Sequence, residues 1–484
     1  MATIRQKIAY NVTFSATARI IETFLALVIV GLLTRYLGKS DFGDYITVLN
    51  FWYIFSVLAD WGLYSITVRE ISRNSDREKE IISNAFTLRI VSASLVFFIG
   101  VIASFFLPYS GQIKTGIILA SFGFWALLSS QVLMGLFQKK LRIDRVAIAE
   151  IISRIFQFFL IVALIKYGLG FSAIIAVVSL TGIANLLLNL WFAGKFVRIR
   201  PAFNYALWKK FISEGWPLAI AAVFVMLYFR LNILILSFLK GSDAVGIFGL
   251  SYKILENLIF LPAMFVGLLM PMMSVSAKEN MEKFKAILQK AFDALVVFLV
   301  PLAGFTLVLS DKIIYLIAGK NFSESAGVLN ILIFAAALIF PATLWSNAII
   351  ALGKQKQLLK IYFFGVILSV GANTALTAYF SYTGTAIATL ATEFLVTLLM
   401  FIYLKSEIGY RPLLGRARKA IVAALISSVV VWYLGKAVST VSVFVSLPLL
   451  LLSGIGAYFL LLYFLNGISP KELVLIFKNA DNEK

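Results

Sequence analysis

The feature that most constrains the fold of this chain is a succession of long apolar runs separated by short polar or basic turns. We count fourteen such runs, the first starting near residue 11 and the last ending near residue 466. A helix needs about 20 apolar residues to cross a hydrocarbon core about 30 Å thick, whereas a barrel strand needs only about ten. The chain is 61% hydrophobic and only 14% charged, which a soluble surface could not accommodate. The sequence therefore predicts an all-α integral membrane protein with about fourteen transmembrane helices.

The turns between these runs differ sharply in their content of lysine and arginine. Thirty Lys and Arg residues fall in turns or tails that alternate with turns holding only eight. Basic turns resist translocation, so they mark the cytoplasmic side of the membrane. This pattern places both termini in the cytoplasm and predicts a multi-pass protein of the cell (inner) membrane.

The composition also excludes several kinds of chemistry. With no Cys and no His, the chain has no disulfide, thiolate nucleophile, imidazole base or His metal ligand. The net charge of +20 lies largely in the basic turns, which argues against a nucleic-acid partner. We find no glycine-rich phosphate loop, nucleophile elbow or metal-ligand cluster, and the turns are too short for a catalytic domain. The expectation is a transporter without a cofactor or metal, rather than an enzyme.

A glycine-containing turn occurs twice and indicates an internal repeat. The spacing of Gly38, Gly43 and Tyr45 recurs, displaced by 203 positions, at Gly241, Gly246 and Phe248. Six crossings per copy is an even number, so the copies are predicted to be parallel and to enclose a cavity between two lobes. The expected boundaries are an N-terminal lobe over 1–200, a C-terminal lobe over 201–405, and two further helices with a cytoplasmic tail over 406–484.

Five basic residues fall inside predicted helices, where a charge costs about 2.5 to 3.5 kcal/mol and usually faces a cavity or a partner. They are the candidates for binding an anionic substrate: Arg19, Arg89, Arg154, Arg230 and Lys253. Arg230 has no acidic residue within four positions. Its planar guanidinium suits a phosphate group, although it could instead reach the interface or neighbouring carbonyls. Arg89, near the cytoplasmic end of its helix, is more typical of a side chain that extends to the interface.

Three of these bases have an acidic neighbour at helical spacing. The pairs are Arg19 with Glu22, Glu150 with Arg154, and Lys253 with Glu256. Each could be a simple ion pair or part of a binding site.

The acidic candidates for Na⁺ or H⁺ coupling, or for ion pairing, are Glu22, Asp60, Glu256 and Glu393. Asp60 could instead cap a helix or face water, and Glu393 could be a hydrogen-bonded packing residue. Asp293 is a further acidic residue inside a predicted helix, but we expect it to be solvated near the cytoplasmic interface. The sequence leaves open whether an ion or the membrane potential drives the protein.

Four short motifs carry a family resemblance over nearly the whole chain. They are residues 34–45, Asp60-Trp61-Gly62-Leu63, Gly246-Ile247-Phe248 and Leu352-Gly353-Lys354. In these motifs and their order the sequence resembles the polysaccharide and oligosaccharide flippases of the multidrug, oligosaccharidyl-lipid and polysaccharide exporter superfamily.

The resemblance implies fourteen helices, with two six-helix lobes forming a V around a central cationic cavity. Arg19, Arg230 and Lys253 map to helices that line this cavity. It also implies transfer of an undecaprenyl- or dolichyl-diphosphate-linked oligosaccharide from the inner to the outer leaflet, for surface glycans such as lipopolysaccharide O-antigen. A glycan polymerase or ligase would be a partner.

Two alternatives remain from the sequence. A cation-coupled multidrug exporter of the same superfamily would have a cavity dominated by carboxylates. A membrane glycosyltransferase would need a large external loop with catalytic groups, and the predicted turns are too short to form one.

Overall fold

The computed structural model describes residues 4–60 and 62–467, and over these ranges the chain is helical with no β-strand. The predicted tail beyond residue 467 and Trp61 of the second motif lie outside the described residues. The helices are α1 (Ile4–Leu58), α2 (Leu63–Arg73), α3 (Glu78–Phe106), α4 (Gly111–Lys139), α5 (Asp144–Lys166), α6 (Phe171–Gly194), α7 (Tyr205–Glu279), α8 (Met281–Ala318), α9 (Glu324–Ala351), α10 (Gln355–Ile408), α11 (Gly415–Ala437) and α12 (Val443–Phe464). Short 3₁₀ turns lie at Ser75–Arg77 and Lys320–Phe322. The predicted all-α class is confirmed.

Eleven stretches within the described ranges are long and apolar enough to cross a membrane. Three of them are far longer than one crossing needs, at 42, 58 and 54 residues in α1, α7 and α10. Each of the three helices is interrupted by one residue with non-helical backbone angles, namely Gly38, Gly241 or Ser381. The long helices are therefore each two helical segments joined at a sharp corner.

The corners at Gly38 and Gly241 have the same backbone conformation. Their φ and ψ angles are 71° and −173° at Gly38, and 74° and −172° at Gly241. Only glycine adopts this region without strain, because a Cβ atom would clash with the backbone. The repeat predicted from the sequence is thus confirmed at this corner, at the same spacing of 203 residues.

The described chain divides into two compact units. The first runs to Gly249 and also includes Asn373–Tyr382. The second comprises Leu250–Ala372 and the chain from Thr383 onward.

In the first unit, the segments that follow the two corners pack against each other with almost no separation. A Cβ atom on Gly43 would lie 1.8 Å from the carbonyl oxygen of Ser242, and one on Gly246 would lie 2.2 Å from that of Lys39. The Ser242 hydroxyl also donates a hydrogen bond to the Asp44 carboxylate. A shift of 203 residues turns Gly43 into Gly246 and Lys39 into Ser242, so each contact is the equivalent of the other in the second copy of the motif.

The connection between α6 and α7, predicted as a linker between lobes, lies along α3. Backbone N–H groups of Arg200, Ala202 and Asn204 donate to side-chain oxygens of α3 at 3.3, 3.0 and 2.7 Å. The three acceptors are Ser83, Thr87 and Asn84. This segment is therefore held as an extended strap, with three of its backbone donors satisfied by side chains of α3.

The strap leads into a second set of polar contacts, between α7 and α2. Lys210 Nζ lies 2.6 Å from the buried Glu70 carboxylate, and Arg69 pairs with Glu214. These two ion pairs tie the start of α7 to α2.

In the second unit, α11 and α12 pack against α8. Phe305 and Leu309 of α8 share a buried apolar cluster with residues of α11 and α12. The hydroxyl of Tyr458 in α12 donates to the Val297 carbonyl of α8 at 2.8 Å, which satisfies a buried polar group.

Candidate functional site

A cavity of 690 Å³ lies inside the first unit, among the membrane-spanning helices. Side chains of α1, α4, α5 and α6 form its wall, together with Met226 of α7. The wall includes two arginines and three carboxylates, namely Arg19, Arg154, Glu22, Asp60 and Glu150. Four of these five, all except Glu150, are binding or coupling candidates predicted from the sequence.

Arg19 and Glu22 form the ion pair predicted from their spacing. Arg19 Nη1 lies 3.2 Å from Glu22 Oε2 across one turn of α1. The Arg19 side chain is half-exposed, with 51% of its surface accessible, whereas that of Glu22 is 7% accessible. The guanidinium can therefore meet a ligand while its carboxylate partner is buried behind it.

Glu150 and Arg154 lie on the same face of α5 but take different partners. Arg154 Nη1 donates to Gln157 Oε1 at 2.7 Å, whereas the Glu150 carboxyl group meets that of Glu22 from α1. Both residues line the cavity. The ion pair suggested by their four-residue spacing is not what the structure forms.

Arg89 does not extend to the membrane interface, and that expectation is wrong. The side chain is fully buried. Its Nη1 donates to the Ala59 carbonyl at 2.8 Å, and its Nη2 pairs with the Asp60 carboxylate. Arg89 thus holds the break between α1 and α2, where carbonyls at a helix end attract a cation. Asp60 is correspondingly an ion-pair partner that also lines the cavity.

Arg230 lies next to the cavity wall. Its guanidinium carbon is 4.4 Å from the ring centroid of Tyr53, which lines the cavity. The Arg230 carbonyl accepts a hydrogen bond from Asn50 of α1 at 3.0 Å. Because Met226 precedes Arg230 by four residues in α7, both lie on the face directed to this wall.

The remaining candidates belong to the second unit and do not line this cavity. Lys253 Nζ lies 2.8 Å from Glu256 Oε2, which confirms the predicted pair. Glu393 is buried, with Tyr362 among its electrostatic neighbours. Asp293, expected to be solvated, is partly buried and accepts a hydrogen bond from Gln289 at 2.9 Å.

Most of the uncharged polar and aromatic wall was not predicted from the sequence. Tyr53, Gln131, Gln157 and Asn185 all line the cavity. One signal for it was present in α5, where Glu150, Ser153, Arg154 and Gln157 recur at helical spacing in an otherwise apolar helix. A polar stripe on one face of a membrane helix indicates a face turned away from lipid.

The fold and this cavity define a multi-pass, all-helical membrane protein with charged side chains between its membrane-spanning helices. The sequence model of a family described as polysaccharide biosynthesis protein matches residues 8–277, more than half of the chain. The chain belongs to that family. This confirms the resemblance inferred from the motifs. No curated protein matches the sequence.

Solved structures support the fold over almost the full length. The lipid II flippase MurJ, in an inward closed conformation, matches with a TM-score of 0.75 at 15% identity, over 96% of this chain and 99% of that chain. An inward-facing multidrug resistance MATE family transporter matches with a TM-score of 0.65 at 15% identity, over 82% and 98%. A MOP superfamily transporter from Pyrococcus furiosus matches with a TM-score of 0.57 at 12% identity, over 83% of this chain and 95% of that chain. At these identities the likeness concerns the fold alone.

Proposed function

We propose that this protein is a flippase that moves a polyprenyl-diphosphate-linked oligosaccharide from the inner to the outer leaflet by alternating access. The observation that carries the proposal is the cavity within the membrane-spanning helices, with Arg19 and Arg154 in its wall. Membership of the polysaccharide biosynthesis family and the fold shared with a lipid II flippase support it.

The cavity wall suits a ligand with a diphosphate and sugars. A diphosphate is too strongly hydrated to cross hydrocarbon, so a carrier must replace its water with charged donors. Guanidinium groups donate paired hydrogen bonds to phosphate oxygens, which Arg19 and Arg154 would provide. Amide side chains such as Gln131 and Asn185 can donate to and accept from sugar hydroxyl groups. The lipid tail would remain in the bilayer.

We further propose fourteen crossings. Dividing the three long spans at Gly38, Gly241 and Ser381 raises the eleven candidate spans to fourteen, with the lobe boundaries at residues 200 and 405 that the repeat suggests. Basic turns then lie on the cytoplasmic side and both termini are cytoplasmic. The location would be the inner membrane, with a glycan polymerase or ligase acting on the product in the outer leaflet.

Energy for the transfer can come from the membrane potential. An interior-negative potential favours outward movement of negative charge by about 2.3 kcal/mol per charge per 100 mV. A diphosphate-linked substrate is therefore driven outward without ATP.

The test is transport by the purified full-length protein in vesicles. The probe is a fluorescent polyprenyl-diphosphate N-acetylglucosamine on the side corresponding to the cytoplasm, followed by its accessibility to an impermeant quencher on the other side. We expect transfer well above that of protein-free vesicles, and slower transfer of a probe in which one phosphate replaces the diphosphate. Equal rates with and without protein would refute the proposal.

The three carboxylates in the wall favour one alternative, a cation-coupled exporter of small cationic molecules. Arg19 and Arg154 oppose it, because a cation would meet their repulsion. Efflux of a fluorescent organic cation from the same vesicles, without transfer of the diphosphate probe, would support the alternative.

A further inference from the structure

One oxygen of the Glu22 carboxyl group is buried without a hydrogen-bond donor. Glu22 is 6% exposed, and its Oε2 is the atom paired with Arg19. Within the described part of the chain, Oε1 has no hydrogen-bond partner. A buried carboxylate oxygen with no donor is costly, so this atom indicates a missing proton or ligand.

A second carboxyl group, that of Glu150, lies beside Glu22 in the cavity wall. The side chains of Glu22 and Glu150 meet at hydrogen-bonding range, although they come from different helices, α1 and α5. An ionised carboxylate only accepts hydrogen bonds, so two ionised groups cannot bond to each other and would also repel. A single proton between them supplies the donor that both lack.

The charged and titratable groups around the pair come from several elements. From α1 these are Arg19, Tyr45 and Tyr53, with Asp60 just after its end. From α5 there is Arg154, and α7 contributes Arg230 through its contact with Tyr53. The lining residues of α4 and α6 near the pair, such as Gln131 and Asn185, do not titrate.

We propose that Glu22 and Glu150 form a proton-binding site that holds one shared proton and thereby sets the charge with which the cavity meets an anionic ligand. Asp60 is neutralised by Arg89. With the proton in place, the carboxyl pair carries one negative charge. Arg19 and Arg154 then give these four side chains a net positive charge. Without the proton, the two carboxylates cancel the two arginines.

The effect of the proton on an anionic ligand rests on the proposed function, since it assumes that the cavity receives a diphosphate. A positive cavity binds an anion better, and linkage is reciprocal, so anion binding must favour proton binding. Raising the pH until the pair loses its proton should weaken anion binding by up to about tenfold per pH unit.

The proton itself can be tested without any ligand. Infrared spectra of the purified full-length protein, recorded through a pH titration, should show a protonated carboxylic acid band that disappears as pH rises. Glu22→Gln and Glu150→Gln should each remove that band, because one glutamine leaves one ordinary carboxylate. Glu282→Gln is the matched control, since Glu282 is exposed and paired with Lys285. A spectrum in which neither pair variant removes a band would overturn the proposal.

The link to the anion is tested with inorganic pyrophosphate as the probe, by calorimetry on the same variants. Wild type and Glu282→Gln should bind more weakly as pH rises through the band's midpoint. Glu22→Gln and Glu150→Gln should bind with little pH dependence, because each carries the charge of the protonated pair. If the affinity of wild type for pyrophosphate did not change with pH, the link would be overturned. No binding at any pH would overturn both the link and the proposed diphosphate recognition, while the infrared band would still decide the shared proton.

Discussion

Gly43 of α1 packs against the backbone of Ser242 in α7 so closely that no other residue fits at position 43. A Cβ atom there would lie 1.8 Å from the Ser242 carbonyl oxygen. The same relation holds in reverse between Gly246 and Lys39, at 2.2 Å. The motif that marks the repeat in the sequence is thus also the place where the two copies meet in the first unit.

Gly43→Ala and Gly246→Ala should therefore destabilise the protein. Forcing an extra methyl group into a closely packed contact costs about 1 to 3 kcal/mol. We expect a lower thermal unfolding midpoint in detergent for each variant. Gly267→Ala is the matched control, because that glycine also lies in α7 and has open space around its Cβ position. Equal midpoints for Gly43→Ala and Gly267→Ala would show that the segments do not pack this closely.

Arg89→Gln should be among the most destabilising single changes in the first unit. It removes a fully buried cation and leaves the Ala59 carbonyl and the Asp60 carboxylate without their donor. Breaking a buried pair typically costs about 3 to 5 kcal/mol. Since Asp60 remains partly exposed, we expect the lower end of that range, measured as loss of folded protein in denaturant.

The control for Arg89 is Arg77→Gln, because Arg77 forms an exposed pair with Glu80 at 2.9 Å. Exposed pairs contribute about 0 to 1 kcal/mol. If Arg89→Gln behaved like Arg77→Gln, the buried position of Arg89 would be contradicted.

The strap along α3 should loosen when its acceptors are removed. Thr87→Val deletes the acceptor of the Ala202 N–H while keeping the shape of the side chain. One hydrogen bond contributes about 1 kcal/mol, which corresponds to about a fivefold faster amide exchange. Hydrogen exchange measured by mass spectrometry should show this increase at residues 200–204, with the α5 peptides unchanged. Unchanged exchange in the strap would argue against the bond.

Arg230→Ala should slow transfer of the diphosphate probe more than Arg230→Lys does. The alanine variant removes the cation next to the cavity wall and its contact with Tyr53, whereas lysine retains the charge. An effect of tenfold would correspond to about 1.4 kcal/mol of lost interaction with the rate-limiting state. Transfer rates in vesicles measure it, and an alanine variant as fast as wild type would remove Arg230 from the mechanism.

Local patterns in the sequence predicted the features that depend on neighbours in the chain. The spacing of Gly38 and Gly241 predicted two equivalent corners, and three-residue spacing predicted the pairs at Arg19 and Lys253. These follow from helix geometry, in which residues three or four apart share a face.

The sequence could not predict contacts between helices that are distant in the chain. Arg89 with Asp60, and Glu22 with Glu150, join different helices, and their meeting depends on helix packing rather than on local spacing. Arg89 was expected at the interface, but a position near a helix end is compatible both with a side chain that extends to the interface and with one buried between helices. Only the packing of α3 against the break after α1 decides between them.

The most direct test of the central claim is the transfer rate of the diphosphate probe by Arg19→Gln, Arg154→Gln and the double variant. Arg73→Gln serves as the control, because Arg73 is an exposed basic residue at the end of α2, away from the cavity wall. We predict that each single variant is slower than wild type, that the double variant approaches protein-free vesicles, and that Arg73→Gln matches wild type. A double variant that transfers the probe as fast as wild type would contradict the claim that this cavity carries the diphosphate.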